Sequence, residues 1–484
     1  MRDAVSIIIG TSIGGGFLAL PSLTAPLGYI PAALGLVASW SFLLFSSFAF
    51  TEAAGLVADA KQFEKTLSRE GDGVGVGDVT PTTNDGTTSV ATVMRYAFGK
   101  KCALVGSCLF ISQLLAVMTA QVVKGAELFS HCFKIPFILG CFLPTSLVGL
   151  FTFKSQPEVV ERFNTVLTVM MIGGFAALIL GTVTTGIAGK GAASAATAGA
   201  LFTRADYSKL LPLDDAWAIP VFVNMLCFGH AMPLIVERMV HGSESASADT
   251  DATSGNGDDN IDKEETSATR IANARASSLL RARTATTVGA VIPIILSLIW
   301  AAISTTLVEP TISNPVQYLL SMGPKISIPV GLLATGAIGT TLLGSFLAMG
   351  HFAEDIVCSK FGHCSLSWVN AANLITVAVP SILACLGPSL YLPLLAFSGA
   401  YPTAILHGLS PALAVLVLRR RIKKQLAEKG ITKKDKPVME SMTPRIVPGG
   451  NSTVIILAVL SIGLVASSTC LALSQMARRF IAGV

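Results

Sequence analysis

Charge is scarce in this chain. Lys, Arg, Asp and Glu make up 13% of 484 residues, about half the share of a soluble globular protein. With 52% of the residues apolar, a water-soluble core of this size could not hide them. The alternating segments of about ten residues that build a membrane barrel are missing. No GxxxxGK[ST] phosphate loop occurs, so nothing points to ATP-driven transport. The nine cysteines form no CxxC and no paired spacing, and read as small buried residues. His351, Cys358, His363 and Cys364 match no common zinc spacing, so no metal is expected. The net charge of +5 is no nucleic-acid footprint, because the basic residues lie between apolar runs.

What the chain does have is a succession of uncharged runs near the roughly 20 residues that a helix needs to cross hydrocarbon. They predict an all-α polytopic membrane protein with eleven spans: 4–25, 31–58, 102–124, 135–153, 164–188, 216–238, 285–308, 329–352, 366–386, 390–417 and 452–474. Together they form one transporter domain over 1–474, with the lipid bilayer as its solvent. With the N-terminus on the cytoplasmic side, 26 of the 34 Lys and Arg fall in inward-facing segments, as the positive-inside rule requires. No small-residue cleavage site follows the first apolar run, so that run is expected to be its own insertion signal or to follow a targeting extension.

Two inward segments, 59–92 and 241–284, are rich in Ser, Thr, Gly and Asp. They are expected to be disordered inserts, because they have too little apolar surface to fold. The second ends in a basic stretch suited to anionic headgroups. A third segment, 418–451, is expected to be a basic cytoplasmic loop. Inserts of this kind suggest a eukaryotic chain in the plasma membrane or an organelle (plastid) envelope.

The first span contains "IIIGTSIGGGFLALP". Glycine costs about 1 kcal/mol relative to alanine inside a helix. Gly10 and Gly14 form a GxxxG, which close packing alone would explain; the run Gly14, Gly15, Gly16 exceeds that need. The sixth span repeats the weakness in "CFGHAMP", where Gly229 and Pro233 both oppose regular winding. The sixth span lies five after the first, an odd number, so the second group of five has the opposite orientation to the first. Paired interruptions in inverted halves point to a transporter's binding site. Non-helical backbone at membrane depth is tolerated where it is buried or lines a cavity. There its bare amides can meet an anion, and its carbonyls a cation.

"GTSIGGGFLALP" resembles the first-span motif of the aromatic amino acid permeases, the tryptophan/tyrosine permease family. "PVFVNMLCFGHAMPLIVE", Glu52 in "FAFTEAAGL" and "SGAYPTAILHGLSPAL" are similar to that family's sixth, second and tenth spans. The sixth-span centre, Cys227-Phe228-Gly229-His230, departs from the family's Phe-Gly-Phe-His. The resemblance implies a fold of five plus five inverted helices, broken in spans one and six, with one added span. It also implies ion-driven symport of an amino acid, tryptophan or tyrosine foremost.

The candidate substrate residues are Thr11, Ser12, Gly14, Gly15 and Gly16 in the first span, and Phe228, Gly229 and His230 in the sixth. Phe228 is either a wall of an aromatic pocket or a packed side chain. His230 is either a proton relay, given its reference pKa of about 6.5, or a neutral prop for the break. Gln113 and Gln121 of the third span either face the cavity or tie neighbouring helices together. No cofactor is expected, and the coupling ion is H+ or Na+. For sodium, "AIGTTLLGS" places Ala337, Thr340 and Thr341 in a pattern that resembles the sodium site of related transporters, completed by the Gly10 and Ile13 carbonyls. No Asp or Glu lies clearly mid-span; Glu52, close to the cytoplasmic end of the second span, is nearest, and reads as a proton site or as a helix-end group in reach of water. The alternative function is a non-transporting receptor or channel on the same scaffold. No nucleophile–base pair lies within the spans, so an enzyme is not expected, and the sequence sets no oligomeric state.

Overall fold

In a computed structural model, residues 4, 5, 8, 12–70, 90–182, 205–210, 218–233, 235, 236, 239, 260–361, 366–428 and 444–482 are described. Among them every regular element is helical. A 3-10 turn, Gly15–Ala19, leads into α1 (Leu20–Leu27), α2 (Tyr29–Glu70), α3 (Val90–Phe98), α4 (Lys100–Phe133), α5 (Phe137–Lys154) and α6 (Pro157–Thr182). After these come α7 (Ala218–Met225), α8 (Asn260–Leu307), α9 (Pro315–Ser321), α10 (Pro324–Phe361) and α11 (Leu366–Ala384). The chain closes with α12 (Tyr391–Ser398), a π-helical segment Gly399–Leu409, α13 (Ser410–Glu428) and α14 (Gly450–Ala482).

Eight helical stretches among the described residues are long and apolar enough to cross a membrane, and two shorter apolar ones, Gly15–Leu27 and Trp368–Ala384, stand where the first and ninth spans are expected. The protein is an integral, multi-pass membrane protein. Its outer surface is oily: Leu139, Leu143, Leu147 and Leu150 of α5, and Ile455, Ile456, Val459 and Leu460 of α14, are all exposed, as lipid-facing residues should be. Several buried hydroxyls instead bond their own helix. Ser47 donates to the Leu43 carbonyl, Thr51 to Ser47 and Ser304 to Trp300, at 2.7–2.9 Å, which satisfies each donor without water.

Glycines set the closest approach. α6 and α10 pack backbone to backbone. A β-carbon on Gly174 would lie 2.7 Å from the Leu333 amide, and one on Gly336 would lie 2.6 Å from the Leu167 carbonyl. That reciprocal pair is the small-residue packing device of membrane helices.

The expected polar inserts need correction. α2 runs on to Glu70 and α8 begins at Asn260, so 59–70 and 260–284 are helical; α3 takes up 90–92, and 71–89 and 241–259 lie outside the described residues. The basic loop is likewise helical as far as Glu428, and 429–443 lie outside. The reason is cooperativity. A helix already nucleated in the bilayer extends at little cost, and "ADAKQFEKTLSRE" and "RIANARASSLLRAR" are rich in good helix formers.

Candidate functional site

Both weakened segments are interrupted. In the first span, Ser12 is helical, Ile13 and Gly14 bend, and the chain resumes as the 3-10 turn Gly15–Ala19. Gly14 is extended, at φ −139° and ψ −165°. Pro21 explains part of the geometry, since it has no N–H to give to the residue four before it, Phe17. The Phe17 carbonyl instead accepts from the Leu20 amide and, at 2.9 Å, from Trp300 Nε1 of α8. In the sixth span, α7 stops at Met225, Cys227 and Phe228 are non-helical, and a short 3-10 turn follows at Gly229–Ala231. Pro233 again stands four residues after a break residue, Gly229.

The two breaks meet. A β-carbon on Gly16 would lie 3.0 to 3.2 Å from Met225, its Cα included, so the backbones are separated by little more than hydrogen at this point. Helices from elsewhere in the chain close around them. The Gly15 amide donates to Thr341 Oγ1 of α10 at 2.7 Å, and the Gly15 carbonyl accepts from Tyr391 Oη of α12 at 3.0 Å. On the sixth-span side, a β-carbon on Gly229 would fall 2.6 Å from His407 Cγ in the π segment. Ser398 Oγ donates to Asn224 Oδ1 at 2.7 Å.

Several expected site residues therefore come together: Gly14, Gly15, Gly16 and Thr341 at one break, and Gly229 at the other. Others do not present themselves as expected. Ser12 Oγ donates to the Ile8 carbonyl, four residues earlier, at 2.8 Å. Phe228 is 1% exposed and belongs to the packed core. The hydroxyls of Thr340 and Thr341 both donate to the Ala337 carbonyl, at 3.2 and 2.8 Å. Ile13 is buried at the bend. Gly10, Thr11 and the side chain of His230 lie outside the described residues, as do the side chains of His351, Cys358, His363 and Cys364.

Glu52 is not in reach of water, nor does it join the breaks. It is 2% exposed, and its Oε1 accepts from Arg419 Nε at 2.8 Å and from Arg419 Nη2. Its Oε2 accepts the amides of Ile446 and Val447 at 3.0 and 3.1 Å. Arg419 also donates to Asn451 Oδ1. The carboxylate thus clamps α2 to α13 and to the turn before α14. Its partners lie more than 360 residues away, which is why an isolated Glu at a helix end looked solvated.

The third span, expected over 102–124, is longer than its apolar run. α4 continues for nine more residues, and Lys124 is 7% exposed. Its Nζ donates to Glu127 Oε2 at 2.6 Å and to Asn314 Oδ1 at 3.2 Å, and lies 5.2 Å from the ring centroid of Tyr391. A Lys followed at i+3 by Glu was the available signal. Through Lys124 this charged pair touches Tyr391, the residue that holds the Gly15 carbonyl.

The sequence model of the tryptophan/tyrosine permease family matches residues 1–245, half of the chain. The chain belongs to the tryptophan/tyrosine permease family. As a permease it is a membrane transporter. No curated protein matches it. Among solved structures, the manganese transporter of Eremococcus coleocola, in complex with an aromatic bis-isothiourea substituted compound, aligns over 96% of the permease and 94% of its own chain. Identity is 12% and the TM-score 0.45. A histidine-to-alanine mutant of that transporter aligns over the same shares at 14% identity and a TM-score of 0.35. Likenesses this distant say nothing about the permease's site or substrate.

Proposed function

We propose that the permease is a symporter for an aromatic amino acid, tryptophan or tyrosine, working by alternating access on a proton or sodium gradient. Eleven spans in two inverted groups of five, with one added, belong to this reading, as does a cytoplasmic N-terminus. The observation that carries it is the meeting of two interrupted helices at Gly16 and Met225, since irregular backbone at membrane depth is retained where it lines a site. Aromatic specificity rests on the family.

In this mechanism the substrate carboxylate takes the amides of the Gly14–Gly16 turn, competing with Thr341 for the Gly15 N–H. Phe228, Gly229 and His230 form the opposite wall. The Ala337, Thr340 and Thr341 oxygens, with the Gly10 and Ile13 carbonyls, are the candidate cradle for a hard cation, for which oxygen donors suit. The group of spans one, two, six and seven then rocks against the rest, opening the breaks to alternate sides.

The test is uptake into proteoliposomes holding the purified protein, with a panel of labelled amino acids, first under an imposed proton gradient and then under a sodium gradient. Gradient-driven accumulation of tryptophan or tyrosine is the expected result. No accumulation of any amino acid under either gradient would end this reading.

A further inference from the structure

Two glutamines lie on α4, eight residues apart. Gln113 Nε2 donates to Thr403 Oγ1 of the π segment at 2.8 Å, so it acts as a tie between helices. Gln121 is different. It is 0% exposed, and neither its Oε1 nor its Nε2 has a hydrogen-bond partner among the described residues. Its carboxamide lies directly on Gly15, where a β-carbon would collide with it.

A buried carboxamide left unpaired on both atoms is costly to the folded state, and a leucine of similar size would fill the same space without that cost. The groups beside it are already engaged. The Gly15 amide goes to Thr341 and its carbonyl to Tyr391. The nearest cation on the same helix, Lys124, is neutralised by Glu127. What stands open at this point of the first break is therefore one neutral donor and one neutral acceptor, side by side.

We propose that Gln121 is a substrate-binding residue of the permease. Its Nε2 donates to the α-carboxylate of the amino acid, and its Oε1 accepts from the α-ammonium. The inference rests on the proposed function and adds to it a basis for selectivity. A neutral carboxamide pairs with both ends of a zwitterion and leaves no net charge, so amines lacking the carboxylate and acids lacking the ammonium are rejected.

The experiment compares the full chain with Gln121→Leu and with the more adaptable Gln121→Met. The readouts are the thermal midpoint with and without L-tryptophan, L-tyrosine and L-phenylalanine, and KM by counterflow. Both variants should match or exceed the parent's midpoint without ligand, because an unpaired buried amide has been removed. Both should lose the ligand-induced rise in midpoint, with KM up about tenfold or more. Two results overturn the inference alone: variants that keep the parent's KM and ligand-induced rise, or variants whose ligand-free midpoint falls while KM stays unchanged, which would make Gln121 structural. A parent protein that responds to none of the three amino acids in either assay overturns the proposed function, and this inference with it.

Discussion

The backbone amide of Gly15 and the hydroxyl of Thr341, 326 residues apart in sequence, are joined by a hydrogen bond of 2.7 Å. The same hydroxyl donates onward to the Ala337 carbonyl. An irregular segment thus hangs from a regular helix by one oxygen, and on its other side the Gly15 carbonyl is held by Tyr391. Packing and hydrogen bonding together fix the shape of the break before any ligand arrives.

Replacing Thr341 by Val preserves shape and removes the acceptor, which strands a mostly buried amide. The thermal stability of the purified protein should fall by about 1–3 kcal/mol. Thr341→Ser should restore most of it, because the oxygen is back. A valine variant as stable as the parent would show that the Gly15 amide is satisfied in another way.

Gly15→Ala puts a methyl group into the Gln121 carboxamide. Transport should be lost while membrane insertion persists, because overpacking of this kind costs about 1–3 kcal/mol locally and leaves the apolar spans intact. Adding Gln121→Ala should relieve the clash and recover stability but not uptake. Coupling between the two sites in a double-mutant cycle is the measurement, and strict additivity would contradict the packing.

Glu52→Gln leaves Arg419, with 14% of its side chain exposed, beside a neutral partner. Breaking a buried pair from one side costs about 3–5 kcal/mol. The double variant Glu52→Gln, Arg419→Met should be closer to the parent than either single change. Heating in detergent, followed by the monodisperse fraction on gel filtration, ranks the three.

Gly336→Leu should separate α6 from α10, because even a β-carbon would lie 2.6 Å from the Leu167 carbonyl and 2.8 Å from the Met171 amide. Loss of folded protein is expected, against a milder loss for Gly336→Ala. Equal yields of both variants would show that this contact tolerates movement.

The apolar runs made the spans legible, and Gly and Pro made the breaks legible, because both act through local backbone chemistry. Gln113 and Gln121 looked alike in sequence; only the neighbours differ, with Thr403 beside one and a bare glycine beside the other. The expected third span stops at Lys124, whereas its neutralising partners, Glu127 and Asn314, make it tolerable inside, and Asn314 is 190 residues away. The helical stretches 59–70 and 260–284 were misread because polar composition argues against a core. It does not argue against continuing a helix that a membrane has already started.

The Glu52 clamp bears on how the molecule is made. A ribosome releases Glu52 early, yet the amides that donate to its second oxygen belong to residues 394 and 395 positions later. Until those are synthesised, α2 carries an acidic group whose final neighbours do not yet exist. The turn before α14 therefore locks a much earlier helix in place.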